Sequence, residues 1–205
     1  MPARRFQAII FDIGRVLVRV DFKAALAGIA ADSALKPEEV WRAIQQHPLW
    51  QGWQEGRVSP QEWHRSLCRS LGADLSFEQF CTAWNRAVSP EPVLRDSLLE
   101  ELSRSYLLAV LSNTDPLHIA HEEANFPVFR HFPVRIYSCV VGACKPDPAM
   151  YRAALGACGA GAEEAVFIDD IPEYVTAAQN MGIAGIVFES PPQLESALRA
   201  LQIIP

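Results

Sequence analysis

Hydrophobic and polar positions alternate along the chain in two regimes. Short apolar runs at residues 6–11, 106–111, 134–139, 165–168 and 183–188 are rich in Val, Ile, Leu and Phe. They are too short and too β-rich for helices and predict buried strands. The first run breaks at Asp12-Ile13-Gly14 and resumes over 16–20. Between the strands lie helical patterns at 92–103, 148–158, 172–181 and 192–201. Several of these open on a proline, whose missing N–H does no harm in a first helical turn. Nearly continuous apolar strands alternating with helices predict an α/β fold, a parallel sheet covered on both faces.

Residues 21–88 interrupt that alternation. They contain no strand-like run and read as four amphipathic helices at 23–31, 37–46, 60–71 and 76–87, separated by turn signals such as Gln51-Gly52 and Glu55-Gly56-Arg57. Ser59 followed three residues later by Glu62 marks one helix start. All five tryptophans (Trp41, Trp50, Trp53, Trp63, Trp84) fall in this insertion. The expected organisation is a core domain from residues 1–20 and 89–205, carrying a helical domain at 21–88.

Composition narrows the function. The chain has 205 residues, half of them hydrophobic, enough for one sizeable core. A formal net charge of −6 repels polyanions, so nucleic-acid binding is not expected. The basic start, Met1 to Arg5, leads into an apolar run too short for a signal peptide or a membrane span. Five cysteines without a CxxC pair suggest neither a disulfide framework nor a zinc knuckle. A cytoplasmic protein with no membrane association, monomeric or homodimeric, is the expectation.

Open parallel sheets bind ligands at the carboxyl ends of their strands, where this sequence places its polar clusters. Asp12 ends the first strand, Ser112-Asn113 the second and Asp169-Asp170 the fourth, while Lys145 follows the third after a short loop. Three carboxylates converging on one lysine repel one another unless a cation joins them, and all-oxygen ligation suits Mg2+. A hydroxyl, backbone amides and a lysine beside that cation suit a phosphate. Singly, Asp12 reads equally as a turn residue and Asp169-Asp170 as a helix cap; it is their combination that points to a Mg2+-dependent phosphate site.

In that order, Phe11-Asp12-Ile13-Gly14-Arg15-Val16-Leu17, Leu111-Ser112-Asn113-Thr114, Lys145-Pro146 and Phe167-Ile168-Asp169-Asp170 resemble the four motifs of the haloacid dehalogenase-like hydrolase superfamily. Asp21-Phe22 and Glu55-Gly56-Arg57-Val58-Ser59 are similar to the branch containing bacterial α-D-glucose-1-phosphate phosphatase. The resemblance covers essentially the whole chain. It implies a Rossmann-like core with helices on both faces and an inserted four-helix cap. By position it makes Asp12 the nucleophile that forms an aspartyl-phosphate, with Mg2+ held by Asp12, Asp169, Asp170 and the Gly14 carbonyl. Lys145 stabilises the nucleophile and the phosphoryl group, and Ser112 and the Asn113 backbone N–H bind the phosphoryl oxygens. The implied substrate is a small phosphorylated metabolite, a sugar phosphate or similar.

Two departures qualify this. Most phosphatases of the superfamily carry a second Asp, their general acid and base, where this chain has Gly14. Asp21, Glu55 and His47 are the candidate replacements. Ile171 and Tyr174 stand where many relatives carry Asn. Trp50 and Trp53 are candidates to line the cleft, Arg15 and Arg57 to bind an anionic substrate group, and the five histidines read as structural. A phospho-ligand-binding regulatory protein on the same scaffold stays open as an alternative because Gly14 removes the usual proton donor. A metal-independent 2-haloacid dehalogenase is disfavoured by Asp169-Asp170.

Overall fold

The computed structural model describes residues 5–31, 33 and 35–205; of the stretch read for a leader, the basic Met1 to Arg5 and the apolar run 6–11, residues 1–4 lie outside the described residues. In chain order the elements are β1 (Ala8–Phe11), β2 (Val18–Val20), α1 (Phe22–Ala30), α2 (Pro37–Gln45), α3 (Trp50–Gln54), α4 (Pro60–Leu71), α5 (Phe77–Asn85) and β3 (Val88–Pro92). Then follow α6 (Asp96–Ser103), β4 (Leu107–Ser112), α7 (Pro116–Asn125), β5 (Val134–Tyr137), α8 (Ser138–Val141), α9 (Pro148–Cys158), β6 (Ala165–Asp169), α10 (Pro172–Asn180), β7 (Ala184–Val187) and α11 (Pro191–Ala200).

Five strands form one parallel sheet in the order β5-β4-β1-β6-β7. Side chains alternate between its faces, and both faces are buried. Ile9 and Phe11 of β1, Leu108 and Val110 of β4, and Val166 and Ile168 of β6 pack into one hydrophobic cluster with α6 and α11. Ile10, Ala109, Leu111, Ala165 and Phe167 pack into another, with α9 and α10. This two-sided burial is why the strands read as continuous apolar runs, and it is the α/β, Rossmann-like architecture expected from the sequence.

A third cluster belongs to the inserted helices. It contains Leu26, Ile29, Val40, Ile44, Leu67, Phe80 and the tryptophans Trp53, Trp63 and Trp84. Trp53 and Trp63 stack with ring centroids 5.7 Å apart and planes at 8°, and both are fully buried. Local signals set the helix ends: the Ser59 hydroxyl accepts the Glu62 N–H at 3.2 Å, and Gly72 closes α4 in the left-handed region. Four helices fall where the periodicity places them, and the five-residue α3 is an addition to them.

Two other elements differ from expectation. The helix expected at 92–103 starts at Asp96, because residues 88–92 pair antiparallel with β2 as a two-stranded ribbon at the root of the insertion. Pro90 and Pro92 sit comfortably there, since a ribbon strand has an edge that needs no N–H donors. The strand expected at 134–139 stops at Tyr137 and turns into α8, where the Ser138 hydroxyl accepts the Thr114 N–H at 2.9 Å. That hydroxyl also lies 2.8 Å from the Gln54 carbonyl, tying α3 to the sheet domain. Among the described residues no helix is long and apolar enough to cross a membrane.

Candidate active site

The sheet reverses its direction of growth at β1: β4 and β5 lie to one side, β6 and β7 to the other. Such a switch point opens a crevice at the carboxyl ends of the strands. Asp12 follows β1 and its N–H is held by the Ile168 carbonyl at 2.8 Å. Ser112 is the last residue of β4 and Asp169 the last of β6. Lys145 arrives from the loop after α8 and is 3% exposed. Its ammonium donates to Asp12 Oδ1 at 2.7 Å, Asp169 Oδ2 at 2.6 Å and the Leu111 carbonyl at 2.9 Å. The Asn113 side chain clamps the Lys145 backbone, accepting its N–H at 2.7 Å and donating to its carbonyl at 3.0 Å. Tyr174 contributes a ring face 5.2 Å from Nζ and a hydroxyl 3.4 Å from Asn113 Nδ2.

Carboxylate oxygens of Asp12, Asp169 and Asp170 all lie within 4.8 Å of one another. Burial pushes the Asp12 carboxyl above its ordinary range although Lys145 pulls it down. Burial likewise pushes Asp169 up to about 6, again against Lys145. Burial works against the Lys145 ammonium too, but Asp12 and then Asp169 outweigh it and raise its pKa. Three carboxyl groups converge here on a single ammonium, so one positive charge faces up to three negative ones. The chemistry of the missing charge follows from the donors: hard carboxylate oxygens at one concave point fit a hard divalent cation.

Gly14 lies beside this centre, and a Cβ built on it would meet Val20 Cγ2 at 3.3 Å and Asp12 Oδ2 at 3.9 Å. Arg15 takes a left-handed φ of 61° and pairs with Asp170 at 3.4 Å while largely exposed. Above the centre, between sheet and inserted helices, is a cavity of about 310 Å³. Asp12, Gly14, Arg15, Ser112, Asn113, Lys145 and Asp170 line it, and so does Trp50.

Several expected residues lie elsewhere. Trp53 is absent from the lining because it stacks on Trp63 inside the insertion's own core. Arg57 is also outside the lining and pairs with Glu55. None of the candidate replacement acids faces the cavity. Asp21 caps α1 by accepting the Lys23 N–H at 2.9 Å, Glu55 is engaged by Arg57, and His47 packs edge-on to Trp63 with Ser66 at 3.3 Å.

The cavity instead gathers polar residues from α7. Asp115 caps that helix, accepting the Leu117 and His118 N–H groups, and its other oxygen accepts the Trp84 indole N–H at 3.0 Å. His118 Nδ1 lies 3.0 Å from Asp115, and its ring stacks on Trp84. Burial opposes a charge on His118, but Asp115 overcomes it and holds the pKa at about 9. Glu122, one turn on and 3% exposed, is pushed by burial up to about 8. The i, i+3, i+7 spacing of Asp115, His118 and Glu122 puts all three side chains on one helix face, but nothing in the sequence says that this face meets the cavity.

Residues 6–182 match the family described as haloacid dehalogenase-like hydrolase. Over 188 residues the chain is 28% identical to a phosphatase of Mycobacterium tuberculosis, covering 86% of this chain and 84% of that one. Over 114 residues, 55% of the chain, it is 30% identical to acyl-CoA dehydrogenase family member 10 of Mus musculus, of which the matched stretch spans only 10%. A HAD family enzyme from Bacteroides thetaiotaomicron, solved as a magnesium complex, superposes with a TM-score of 0.83 at 23% identity, covering 95% of this chain and 99% of that one. Solved with magnesium and inorganic phosphate, the same enzyme gives 0.80 at 24%, covering 90% and 95%.

Proposed function

The chain belongs to the haloacid dehalogenase-like hydrolases, and we propose that it is a Mg2+-dependent phosphatase that cleaves a small phosphate monoester through an aspartyl-phosphate on Asp12. The observation that carries this is the Lys145 ammonium bridging Asp12 and Asp169, with Asp170 completing the acidic cluster. The names of a similar phosphatase and of the magnesium- and phosphate-bound structural neighbour support it.

Asp12 attacks phosphorus, its Oδ–P bond forming as the ester P–O bond breaks. The alkoxide leaves with its electron pair and takes a proton from water, since Gly14 offers none. Lys145 keeps the attacking carboxylate oriented and offsets charge on the transferring phosphoryl group. The Ser112 hydroxyl and the Asn113 backbone N–H bind phosphoryl oxygens, and water then hydrolyses the acyl phosphate to restore Asp12. Asp12, Asp169, Asp170 and the Gly14 carbonyl would hold Mg2+, which supplies charge neutralisation at the phosphoryl oxygens. The inserted helices cap the site and exclude water, and Trp50 and Arg15 stand where the leaving group passes. Negative surface charge keeps nucleic acid from being the substrate; a small phosphorylated metabolite is.

Acid-quenching the enzyme during turnover of an aryl phosphate with Mg2+ tests this. The expected result is one phosphoryl group on the peptide containing Asp12, absent in Asp12→Asn. Tight Mg2+ and phosphate binding with neither phosphoenzyme nor phosphate release would favour a binding protein instead, the reading that Gly14 keeps in play.

A further inference from the structure

We propose that the cavity holds the substrate's alcohol by an apolar body against the cap wall and by one hydroxyl bound to Glu122 on the opposite wall, so that the substrate is the phosphate monoester of a largely apolar, hydroxyl-bearing alcohol. The inference rests on the phosphatase reading above and names its substrate class.

The two walls of the cavity differ in chemistry. The cap wall is built from Phe22, Leu26, Ile29, Trp41, Ile44 and Trp50. Trp41 meets Trp50 edge to face at 6.3 Å and Phe22 at 5.0 Å, giving a continuous aromatic surface. Apart from Gln54, which also lines it, such a wall receives rings and aliphatic chains and offers the many hydroxyls of a bare sugar few partners. A glucose-phosphate-like ligand fits it poorly.

The opposite wall is the α7 stripe, and most of that stripe is already committed. Asp115 is filled by two backbone N–H groups, the Trp84 indole and His118. His118 spends its second ring nitrogen on the Trp84 carbonyl at 3.2 Å. Glu122 remains: it lines the cavity, is almost wholly buried, and its Oε2 has no hydrogen-bond partner. A buried polar atom left unmatched is costly, and because Glu122 is part of the cavity wall a ligand hydroxyl is the partner placed to match it. Burial keeps this carboxyl neutral at pH 7, where it both donates and accepts. That suits a hydroxyl better than an ammonium group.

The test measures kcat/KM for 2-phenylethyl phosphate, its para-hydroxyl analogue, its para-aminomethyl analogue and glycerol 3-phosphate, with Mg2+, in wild type, Glu122→Leu and Glu122→Gln. Ratios between two esters on one preparation do not depend on the fraction of folded enzyme, so a partly unfolded variant still reports. The expected result is about a tenfold preference for the hydroxyl over the plain arylalkyl ester, corresponding to one good hydrogen bond. Glu122→Gln keeps most of that preference, Glu122→Leu loses it, and glycerol 3-phosphate trails both aryl esters in wild type. A preference that survives in Glu122→Leu, a gain confined to the aminomethyl ester, or faster turnover of glycerol 3-phosphate overturns the inference while leaving the phosphatase reading standing. Folded wild type that releases phosphate from none of the esters overturns the phosphatase reading, and the inference with it.

Discussion

Replacing Lys145 with Met preserves most of the side chain's volume and deletes one buried charge. The ammonium makes three hydrogen bonds, of 2.6, 2.7 and 2.9 Å, in a pocket where its side chain is 1% exposed. Without it, Asp12 and the fully buried Asp169 face each other with no cation between them. Breaking a buried pair by removing one partner costs roughly 3–5 kcal/mol. For a chain of this size that lowers Tm by roughly 6–20 °C. The loss depends on pH in a defined direction. Both carboxyls already have folded-state pKa values above their ordinary ones, Asp169 at about 6, and losing Lys145 raises them further. A raised pKa contributes stability that is full below the unfolded value and lost as pH rises through the folded one. The gap between variant and wild type in EDTA is therefore wide at pH 7.5 and narrows toward pH 5, as both carboxyls take up protons. Thermal melts by circular dichroism at both pH values check this. A variant that melts like wild type, or a deficit of equal size at both pH values, would refute the claim that the Lys145 ammonium holds these two carboxylates together.

Other outcomes follow from neighbouring features. Restoring a carboxylate by Gly14→Asp should raise turnover of esters with poor leaving groups by about 100-fold, and more when combined with Val20→Ala, which relieves the 3.3 Å approach to Val20 Cγ2; stopped phosphate-release assays measure it. His118 holds its charge up to about 9, so the Asp115–His118–Trp84 link between α7 and the cap is at full strength below 6.5 and is lost as pH rises through 9; Trp fluorescence should show a transition there that His118→Gln abolishes. Gly56 has φ +71°, and a Cβ there would come within 1.9 Å of the Cys139 carbonyl oxygen; Gly56→Ala should cost at least about 2 kcal/mol and loosen the seat of the cap on the sheet domain, read by hydrogen exchange at residues 138–142.

The sheet and the polar residues at its strand ends were legible because both depend on local sequence. Residues 8–11 and 165–168 are buried on both faces, so they had to be apolar throughout, and the Asp after each run announced the strand's carboxyl end. The β2–β3 ribbon was hidden because its strands are three and five residues long, and one carries two prolines that resemble helix starts. Trp50 and Trp53 illustrate another limit. They lie three apart on the same short helix and both pack on Trp63, yet only Trp50 also reaches the cavity, which their spacing does not foretell. His118 read only as one of five structural histidines. Its role emerged only from the packing of α5 on α7, which brings Trp84 over its ring. Glu122 was invisible for a related reason: a glutamate is ordinarily a solvated residue, and only the tertiary fold buries it against the substrate cavity.

The account stands most directly on one measurement: steady-state phosphate release from a panel of small esters, including an activated aryl phosphate and glucose 1-phosphate, with Mg2+, with EDTA, and for Asp12→Asn. It predicts release that requires Mg2+ and is lost in Asp12→Asn. Release that persists in EDTA, or in Asp12→Asn shown to be folded, would contradict it.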